Sequence, residues 1–517
     1  MSQGPNTTLN RAKLYQLALF PLNNGATNVY FVLVLSYVLN FGSGVLGMAA
    51  VFVSVMITGM RVCDAITDPV IGALIDKTNG KFGKFRPFMI IGNLIMAFSV
   101  FMMYVFLPKV GESMMWLRYA GFVALYFVWV IGYTFQTSCT RSGQTVLTND
   151  PKQRPMFTLF NTVGSLVGMG AMQVLAPIVG KAQGGYNTAG FFATLAPIGI
   201  VVSIVLTILA VIGIWEKDQA KYFGVGGQQE KIKVSEYVQI IRANRPMQRL
   251  MVAGAGCKLA LAIATHTAVL CMLYGSMMNN YDGLYLPMMV IGYVCSAPFF
   301  LLTIRTSQKK GQKASLVRYV GVALACYVAV LALLLLWRQG DPAWNLSILS
   351  DGGLSINLYT ILFIVFFGIG YGAYYSTADM PIPMVADCSD YETYRSGKYI
   401  PGIMGTLFSL VDKLVSSLAS LVVTIAVSFI GLSEIPDQYS PYVPGMNWVV
   451  IALFCIIPMV AWAATLIAMK GYSLTGEKMK TIQAVNAARK EAVAGGMSLE
   501  QAMEAITDDT VKNANDN

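Results

Sequence analysis

Twelve long apolar segments constrain the fold of this chain more than any other feature. A helix that crosses a bilayer needs about 20 mostly apolar residues. The segments that meet this requirement are residues 16–41, 45–75, 87–107, 114–146, 157–180, 189–214, 248–277, 284–304, 314–337, 355–378, 402–431 and 446–470. Charged residues make up only 12% of the chain, about half the fraction typical of a soluble domain. We therefore predict an all-α polytopic membrane protein with twelve transmembrane helices.

The distribution of lysine and arginine predicts the orientation of these helices. Basic residues concentrate in residues 77–86, 217–249 and 305–313, while the intervening loops hold few. Since basic loops remain in the cytoplasm, we expect the middle loop and both termini to be cytoplasmic. This pattern also accounts for the net charge of +10. We expect no nucleic-acid partner, because no basic stripe is interleaved with aromatic residues.

The spacing of the segments divides the chain into four parts. Residues 1–215 form an amino-terminal six-helix half, 216–247 a cytoplasmic middle loop, 248–470 a carboxyl-terminal six-helix half and 471–517 a cytoplasmic tail. Two six-helix halves joined by a polar loop are the layout of the major facilitator fold, in which the halves move about a central site. In the tail, Ser498-Leu-Glu-Gln501 predicts a capping box at the start of a short helix.

Span two carries an unusual set of charges, in the sequence Arg61-Val-Cys-Asp64-Ala-Ile-Thr67-Asp68-Pro69. Asp64 and Asp68 are four residues apart and therefore lie on one helical face. Two carboxylates this close repel each other unless a cation or a proton joins them. The pair therefore predicts a sodium or proton site, to which Thr67 could add an oxygen ligand. In the alternative interpretation, Arg61 neutralises Asp64 and the charges serve only packing.

Span eleven contains Asp412 followed by Lys413. Consecutive residues point about 100° apart around a helix, so Asp412 is a poor partner for Lys413. The aspartate pair of span two is a better partner for Lys413, either in a permanent salt bridge or in one that breaks when a cation binds. The second option would make Lys413 a coupling residue.

Span four contains Gln136, Thr137 and Arg141, which are candidate substrate ligands. A guanidinium in this span would suit a carboxylate, sulfonate or phosphate on the substrate. Alternatively, Arg141 extends to the membrane surface or pairs with the aspartates of span two.

Lys258 in span seven and Asp379 near span ten are further candidate substrate ligands that could pair with each other. His266, also in span seven, is the only histidine of the chain and is more typical of a packing residue than of a proton relay. No Gly-rich loop ends in Gly-Lys-Ser/Thr, and no nucleophile and base are arranged for catalysis. We therefore expect neither ATP-driven transport nor an enzyme, and no cofactor apart from the coupling cation.

The span-two sequence, together with Gly-Lys-Phe-Arg-Pro at 83–87, resembles the melibiose permease group, the glycoside–pentoside–hexuronide:cation symporter family. The sequence Met-Val-Ala-Asp-Cys-Ser-Asp-Tyr at 384–391, followed by Lys413, resembles the motif of that family in spans ten and eleven. The similarity extends from about residue 14 to residue 470. It implies a monomeric, multi-pass symporter of the bacterial inner membrane. The residues implied to bind the cation are Asp64, Asp68, Thr67, Thr134 and Ser409, with Lys413 linking cation and sugar.

The chain departs from the pattern of melibiose permease where that protein binds sugar. Thr137 replaces an acidic residue, Arg141 a tryptophan, Asn24 an aspartate and Asn161 an arginine. Fewer acids and a new arginine favour an anionic glycoside, such as a hexuronide or a sulfonated sugar. We therefore expect cation-coupled uptake of such a sugar. A cation-coupled lysolipid transporter and a non-transporting membrane sensor are the alternatives.

Overall fold

The computed structural model describes residues 11–78, 80–147, 154–219, 242–350, 353–397, 401–432 and 434–508. In these ranges, eleven helices are long and apolar enough to cross a membrane. The predicted span at 45–75 corresponds to the helix Ala50–Lys77, which begins with the apolar stretch Ala50–Arg61. The predicted helical, polytopic architecture is confirmed.

The chain forms two compact units. The first contains Met1–Gln229 together with Val427–Ser440, and the second contains Glu230–Ala426 and Pro441–Asn517. A short segment that follows span eleven in the sequence therefore belongs to the first unit.

Six helices form the framework of the first unit. They are α1 (Leu22–Tyr30), α2 (Ala50–Lys77), α3 (Arg86–Phe101), α4 (Met115–Leu147), α5 (Arg154–Gln183) and α6 (Ala189–Ile214). Span one starts with the short helix Leu14–Leu19 and continues beyond α1 through Phe31–Ser36, Val38–Asn40 and Phe41–Val45. Two of these continuing segments are π-helical, a local widening that is common near functional sites.

Small residues bring α1 and α5 into close contact. A side chain at Gly25 would collide with the backbone of Gly164, since its Cβ would lie 2.6 Å from that carbonyl oxygen. Buried polar pairs join other helices, as where Asn93 on α3 donates to Ser203 and Thr207 on α6 at 2.7 and 2.9 Å. Close backbone approach and buried hydrogen bonds are what hold helices together where apolar contact alone gives little specificity.

Asp218, just beyond α6, fixes the turn between α2 and α3. Its carboxylate is fully buried and accepts the backbone N–H groups of Lys84, Phe85 and Arg86 at 2.8 to 3.0 Å. Arg86 adds a side-chain hydrogen bond from Nε at 3.3 Å and stacks over Trp215 at 4.4 Å. An anion at the free N–H groups of a helix start is favourable. The basic residues 77–86 are among those that predict the orientation of the helices. The turn that contains them is also anchored to the end of span six.

The second unit contains the remaining long helices. They are α7 (Arg245–Ala264), α8 (Tyr281–Lys310), α9 (Gln312–Leu336), α10 (Leu358–Thr377), α11 (Pro381–Ser396), α12 (Pro401–Ser428), α13 (Ile457–Lys470), α14 (Gly476–Ala494) and α15 (Leu499–Ala505). Shorter pieces are Thr267–Leu270, Cys271–Met277, Met446–Ile451 and Ala452–Ile456. Leu349–Ser350 pairs antiparallel with Gly353–Leu354 in a small ribbon.

Spans seven and ten are interrupted. In span ten, α10 ends at Thr377 and α11 begins with Pro381, a residue suited to a first helical turn. In span seven, α7 ends at Ala264, and His266 caps the next helix by accepting the N–H of Ala268 at 3.3 Å. Interrupted helices in transporters usually lie at binding sites, because the break exposes backbone groups to a cavity.

The tail is folded against α11. Asn486 donates to the carbonyl of Asp390 at 2.9 Å, and Arg489 donates to the carbonyl of Tyr394 at 2.7 Å. The predicted capping box at Ser498 and Gln501 is confirmed, as it opens α15. The longer tail helix α14 was not predicted, because its sequence has no apolar face as marked as those of the spans.

Candidate functional site

The centre of the candidate cation site is an ion pair within α2. Nη1 of Arg61 lies 3.1 Å from Oδ2 of Asp64. Both side chains are nearly inaccessible, at 9% and 1% exposure. An arginine buried at this depth needs a carboxylate to compensate its lost hydration. Pairing of Arg61 with Asp64 is therefore one function of this carboxylate.

Asp68 lies one helical turn beyond Asp64 and is half-buried. Between them, the hydroxyl of Thr67 donates to the carbonyl of Asp64 at 3.4 Å, which turns this side chain back along the helix. Arg61 and the two aspartates carry +1, −1 and −1, a sum of −1. One monovalent cation or one proton would bring this stretch of α2 to neutrality.

Helix α4 supplies aromatic and hydroxyl groups on the side of Arg61. The phenols of Tyr126 and Tyr133 lie near Arg61. Thr134 is 1% exposed, and its hydroxyl has no hydrogen-bond partner in the part of the chain that the structure describes. A buried hydroxyl without a hydrogen-bond partner is unusual, so the hydroxyl oxygen of Thr134 is available as a ligand for a cation. Sequence reasoning proposed Thr134 from the family resemblance but missed Tyr126, for which no motif gives a signal.

Two predicted sugar ligands of different spans come together. Nδ2 of Asn24 on α1 donates to the backbone carbonyl of Asn161 on α5 at 3.5 Å. Asn28 donates to the side-chain oxygen of Asn24 at 3.1 Å. The side-chain oxygen of Asn161 is buried and, among the described residues, lacks a partner. This amide cluster offers donors and acceptors suited to hydroxyl groups.

Two other predicted ligands of span four, Gln136 and Thr137, hydrogen-bond to backbone carbonyls of helices. Gln136 is fully buried and donates to the carbonyl of Met89 on α3 at 2.6 Å. The hydroxyl of Thr137 donates to the carbonyl of Tyr133 at 3.0 Å. The side chains of Arg141 and of Ser409 in span eleven lie outside the described residues.

A charged cluster occupies the second unit. Nζ of Lys258 on α7 lies 3.1 Å from Oδ1 of Asp379, in the break between α10 and α11. It also lies 3.8 Å from Oδ1 of Asp412 on α12. The side chain of Lys258 is 25% exposed, that of Asp379 71% and that of Asp412 32%. Sequence reasoning named Lys258 and Asp379 as a potential pair but missed Asp412 as the second carboxylate of Lys258.

Lys413 lies on α12 in the second unit and is half-buried, as are Asp387 and Asp390 of the span-ten motif. His266 forms a hydrogen bond within the same unit: its Nε2 lies 3.4 Å from the hydroxyl oxygen of Ser420 on α12.

The described residues contain no group of three or more His, Cys, Asp or Glu side chains positioned to hold a metal ion. A cation at Asp64 and Asp68 would therefore need hydroxyl, carbonyl or water oxygens to complete its ligands. Such an oxygen-rich, weakly charged site suits a hard monovalent ion better than a transition metal.

A family model described as "MFS/sugar transport protein" matches residues 20–476. The chain belongs to this family. Members of the family are membrane transporters, so the chain is a transporter and not an enzyme, as predicted.

Several relatives align over most of the chain. The inner membrane symporter YicJ of Escherichia coli K12 is 23% identical over 489 residues, which cover 90% of this chain and 92% of the relative. The glucuronide carrier protein homolog of the same organism is 23% identical and covers 90% and 93%. The lactose permease of Lactobacillus delbrueckii subsp. bulgaricus is 23% identical and covers 82% and 64%.

Solved transporter structures share the fold. A crystal structure of a D-xylose-proton symporter superposes with a TM-score of 0.53 at 13% identity, covering 87% of this chain and 97% of that one. A bacterial homologue of the iron transporter ferroportin superposes with a TM-score of 0.54 at 14% identity, covering 88% and 98%. At these identities the likeness concerns the fold alone, and it identifies the predicted major facilitator architecture.

Proposed function

We propose that the chain is a secondary active symporter that couples sodium or proton entry to uptake of a sugar or glycoside by alternating access. The observation that carries this proposal is the charge arrangement on α2, where Arg61, Asp64 and Asp68 sum to −1 within a membrane span. Ionisable residues in spans are costly and usually functional. One relative is named a symporter, which agrees with coupled transport. Two others are named a lactose permease and a glucuronide carrier homolog, which agrees with a sugar as substrate.

The cation is proposed to bind at Asp64 and Asp68, with Thr67, Thr134 and Ser409 as additional oxygen donors. Arg61 pairs with Asp64 at 3.1 Å, and carboxylate and hydroxyl oxygens are the ligands that a hard cation prefers. Coulomb attraction in a poorly hydrated environment is much stronger than in water. Cation binding and substrate binding would then be linked reciprocally, as any coupling free energy requires, and Lys413 is proposed to be the linking residue.

An anionic glycoside, a hexuronide or a sulfonated sugar, is the proposed substrate. Arg141 would bind its acidic group, and the cluster of Asn24 and Asn161 would bind hydroxyls. Lys258 and Asp379 offer a donor and an acceptor to further hydroxyls. Lys258 is already matched by two carboxylates, so we assign the binding of the acidic group to Arg141.

The proposed setting is the bacterial inner membrane, with a monomeric protein whose termini, middle loop and tail face the cytoplasm. The relative named as an inner membrane symporter supports this location, and the basic loops of the sequence support the orientation.

The test is ligand binding by the purified protein. A panel of neutral glycosides, glucuronides, sulfonated sugars and lysolipids is measured by calorimetry with and without sodium at pH 5.5 and 7.5. We expect an acidic sugar to bind, more tightly with the coupling cation, and Asp68→Asn to remove the cation effect. Binding of lysolipid alone would instead identify a lipid transporter of the same fold. Absence of any cation effect would refute coupling at Asp64 and Asp68.

A further inference from the structure

A segment that follows span eleven is buried in the first unit. We call residues 434–440 the strap. Ile435 is 0% exposed, Gln438 2% and Asp437 8%, although a connecting segment normally runs over the surface. The strap belongs to the first unit, whereas most of α12, which leads into it, belongs to the second.

Hydrogen bonds to the backbone of Ile435 join the strap to the rest of the first unit. The N–H of Ile435 donates to Oγ of Ser43 at 3.4 Å, and its carbonyl accepts from Nδ2 of Asn187 at 3.0 Å. Asn187 is in turn oriented by Asn40, which donates to its Oδ1 at 2.9 Å. Both contacts to the strap run from a side chain to backbone, so docking of Ile435 depends on the shape of the main chain there.

The strap also carries its own turn. Oδ1 of Asp437 accepts the N–H of Tyr439 at 3.0 Å and the hydroxyl of Ser440 at 2.9 Å. The N–H of Asp437 donates to the same hydroxyl at 2.9 Å. These bonds lie within the segment, so the turn would persist if the strap left its place. Little ordering would then be needed when it docks again.

One buried group opposes docking. Both amide atoms of Gln438 are buried and, within the described chain, neither has a hydrogen-bond partner. Burial of an amide without partners is unfavourable, because its hydrogen bonds to water are lost without replacement. The side chain lies beside Gly180, where a Cβ would meet the ring of Tyr186 at 2.5 Å and Nε2 of Gln438 at 3.2 Å. Docking is therefore favoured at Ile435 and opposed at Gln438.

We propose that the strap is a reversible latch: it is docked on the first unit in one state of the transport cycle and must detach in another. The strap follows α12, the helix that carries Lys413, after residues 429–433. A movement of that helix during transport therefore pulls on the strap. The unsatisfied amide of Gln438 keeps the docked state weak enough to detach. With the orientation given under the proposed function, the strap lies on the outer side of the membrane.

Cysteine labelling tests whether the strap detaches. Ile435→Cys, at a side chain that is 0% exposed, and its control Tyr439→Cys, at a side chain that is 47% exposed, are treated in intact cells with a membrane-impermeant maleimide. Ile435→Cys keeps the amide of Gln438 and both backbone hydrogen bonds of residue 435. The unmodified chain gives the background from its own cysteines. We expect Tyr439→Cys to react quickly and Ile435→Cys to react slowly but completely. Adding Asn187→Ala, which removes one hydrogen bond, should accelerate only Ile435→Cys, by roughly two- to tenfold.

Two labelling outcomes would overturn the latch. Equal rates for Ile435→Cys and Tyr439→Cys would mean that the strap is not docked. Complete protection of Ile435→Cys, also with Asn187→Ala, would mean that it never detaches. Labelling of Tyr439→Cys only in inverted vesicles would refute the proposed orientation instead, and the two rates would then be compared from that side.

A cross-link tests whether detachment is required for transport. Ser43→Cys with Ile435→Cys joins the strap to span one under an oxidant, and each single variant is the control. Uptake of p-nitrophenyl glucuronide is measured first in the unmodified chain, where lack of uptake would count against the proposed substrate and not against the latch. If that chain transports, we expect the cross-linked variant to lose uptake and regain it with reductant. Undiminished uptake by the cross-linked protein would refute the latch.

Discussion

The two units hold their membrane-embedded charges in opposite ways. In the first unit, Arg61 and Asp64 lie three residues apart on one helix and are almost fully buried. In the second, Lys258 reaches Asp379 and Asp412 on other segments of the chain, and all three side chains remain partly exposed. One arrangement is set by the geometry of a single helix, and the other by the packing of several.

This difference suggests different functions. A pair on one helix keeps its geometry when helices shift, because residues three and four apart remain neighbours. A cluster built from three segments changes whenever those segments move, as they do in transporters that alternate their access. The α2 site is therefore suited to hold a cation through a cycle, and the Lys258 cluster is suited to respond to the conformation.

The largest effect is expected from breaking the buried pair of α2. Asp64→Leu leaves Arg61 buried without its carboxylate, which should cost about 3–5 kcal/mol of stability. Thermal and denaturant unfolding in detergent would measure it. The double variant Arg61→Met with Asp64→Leu should recover most of the loss, because no charge then remains buried. A single variant as stable as the unmodified protein would show that the pair contributes nothing to folding.

A smaller effect is expected from Lys258→Met. This change leaves Asp379 and Asp412 without their shared ammonium, but both carboxylates are accessible to solvent, so the cost should be about 1–2 kcal/mol. Adding Asp379→Asn should restore stability by removing one of the two negative charges. If the double variant is less stable than Lys258→Met, the lysine acts through its packing and not through its charge.

Asp379→Asn alone should change stability by about 1 kcal/mol or less, since its side chain is 71% exposed. It should nevertheless weaken glycoside binding if the carboxylate accepts hydroxyl groups. Asp412→Asn is the matched control, because it removes the other contact of Lys258 at 3.8 Å. Equal affinities for both variants and the unmodified protein would remove Asp379 from the substrate site.

The smallest effect is expected at the surface pair of Lys13 and Glu216. Nζ of Lys13 lies 3.0 Å from Oε2 of Glu216, and both side chains are exposed. The hydrogen bond from Lys13 lowers the pKa of Glu216. A lowered carboxyl pKa stabilises the fold above the pKa of the unfolded state and loses this contribution as the pH falls through the folded value. Because both side chains are exposed to solvent, this contribution is too small to resolve, and Lys13→Met should leave Tm unchanged within scatter at pH 7. A clear fall of Tm at pH 7 would show that this exposed pair matters more than its solvation allows.

Much of the fold could be predicted because its signals are local. A span is a continuous apolar run, and Asp64 and Asp68 share a face simply because they are four residues apart. Breaks such as the one between Thr377 and Pro381 leave a weaker local signal, since α10 and α11 lie in one continuous candidate span.

Contacts between distant parts of the chain could not be predicted in the same way. Lys258 and Asp379 are 121 residues apart, so the sequence could suggest the pair but not its geometry or its third member, Asp412. Nothing in the sequence marks Asp218 as the anchor of a turn more than 130 residues earlier. Burial of Ile435 in the first unit likewise depends on tertiary packing, because its surrounding residues are typical of a loop.

Calorimetric titration of the purified protein with sodium, in two buffers of different ionisation enthalpy, tests the central claim most directly. The buffers separate sodium binding from proton exchange, so either coupling ion is detected. We predict that the unmodified protein and Asp379→Asn bind one sodium ion or exchange one proton, whereas Asp68→Asn does neither. Loss of the signal in Asp379→Asn with retention in Asp68→Asn would contradict the account, because the cation site would then lie in the second unit.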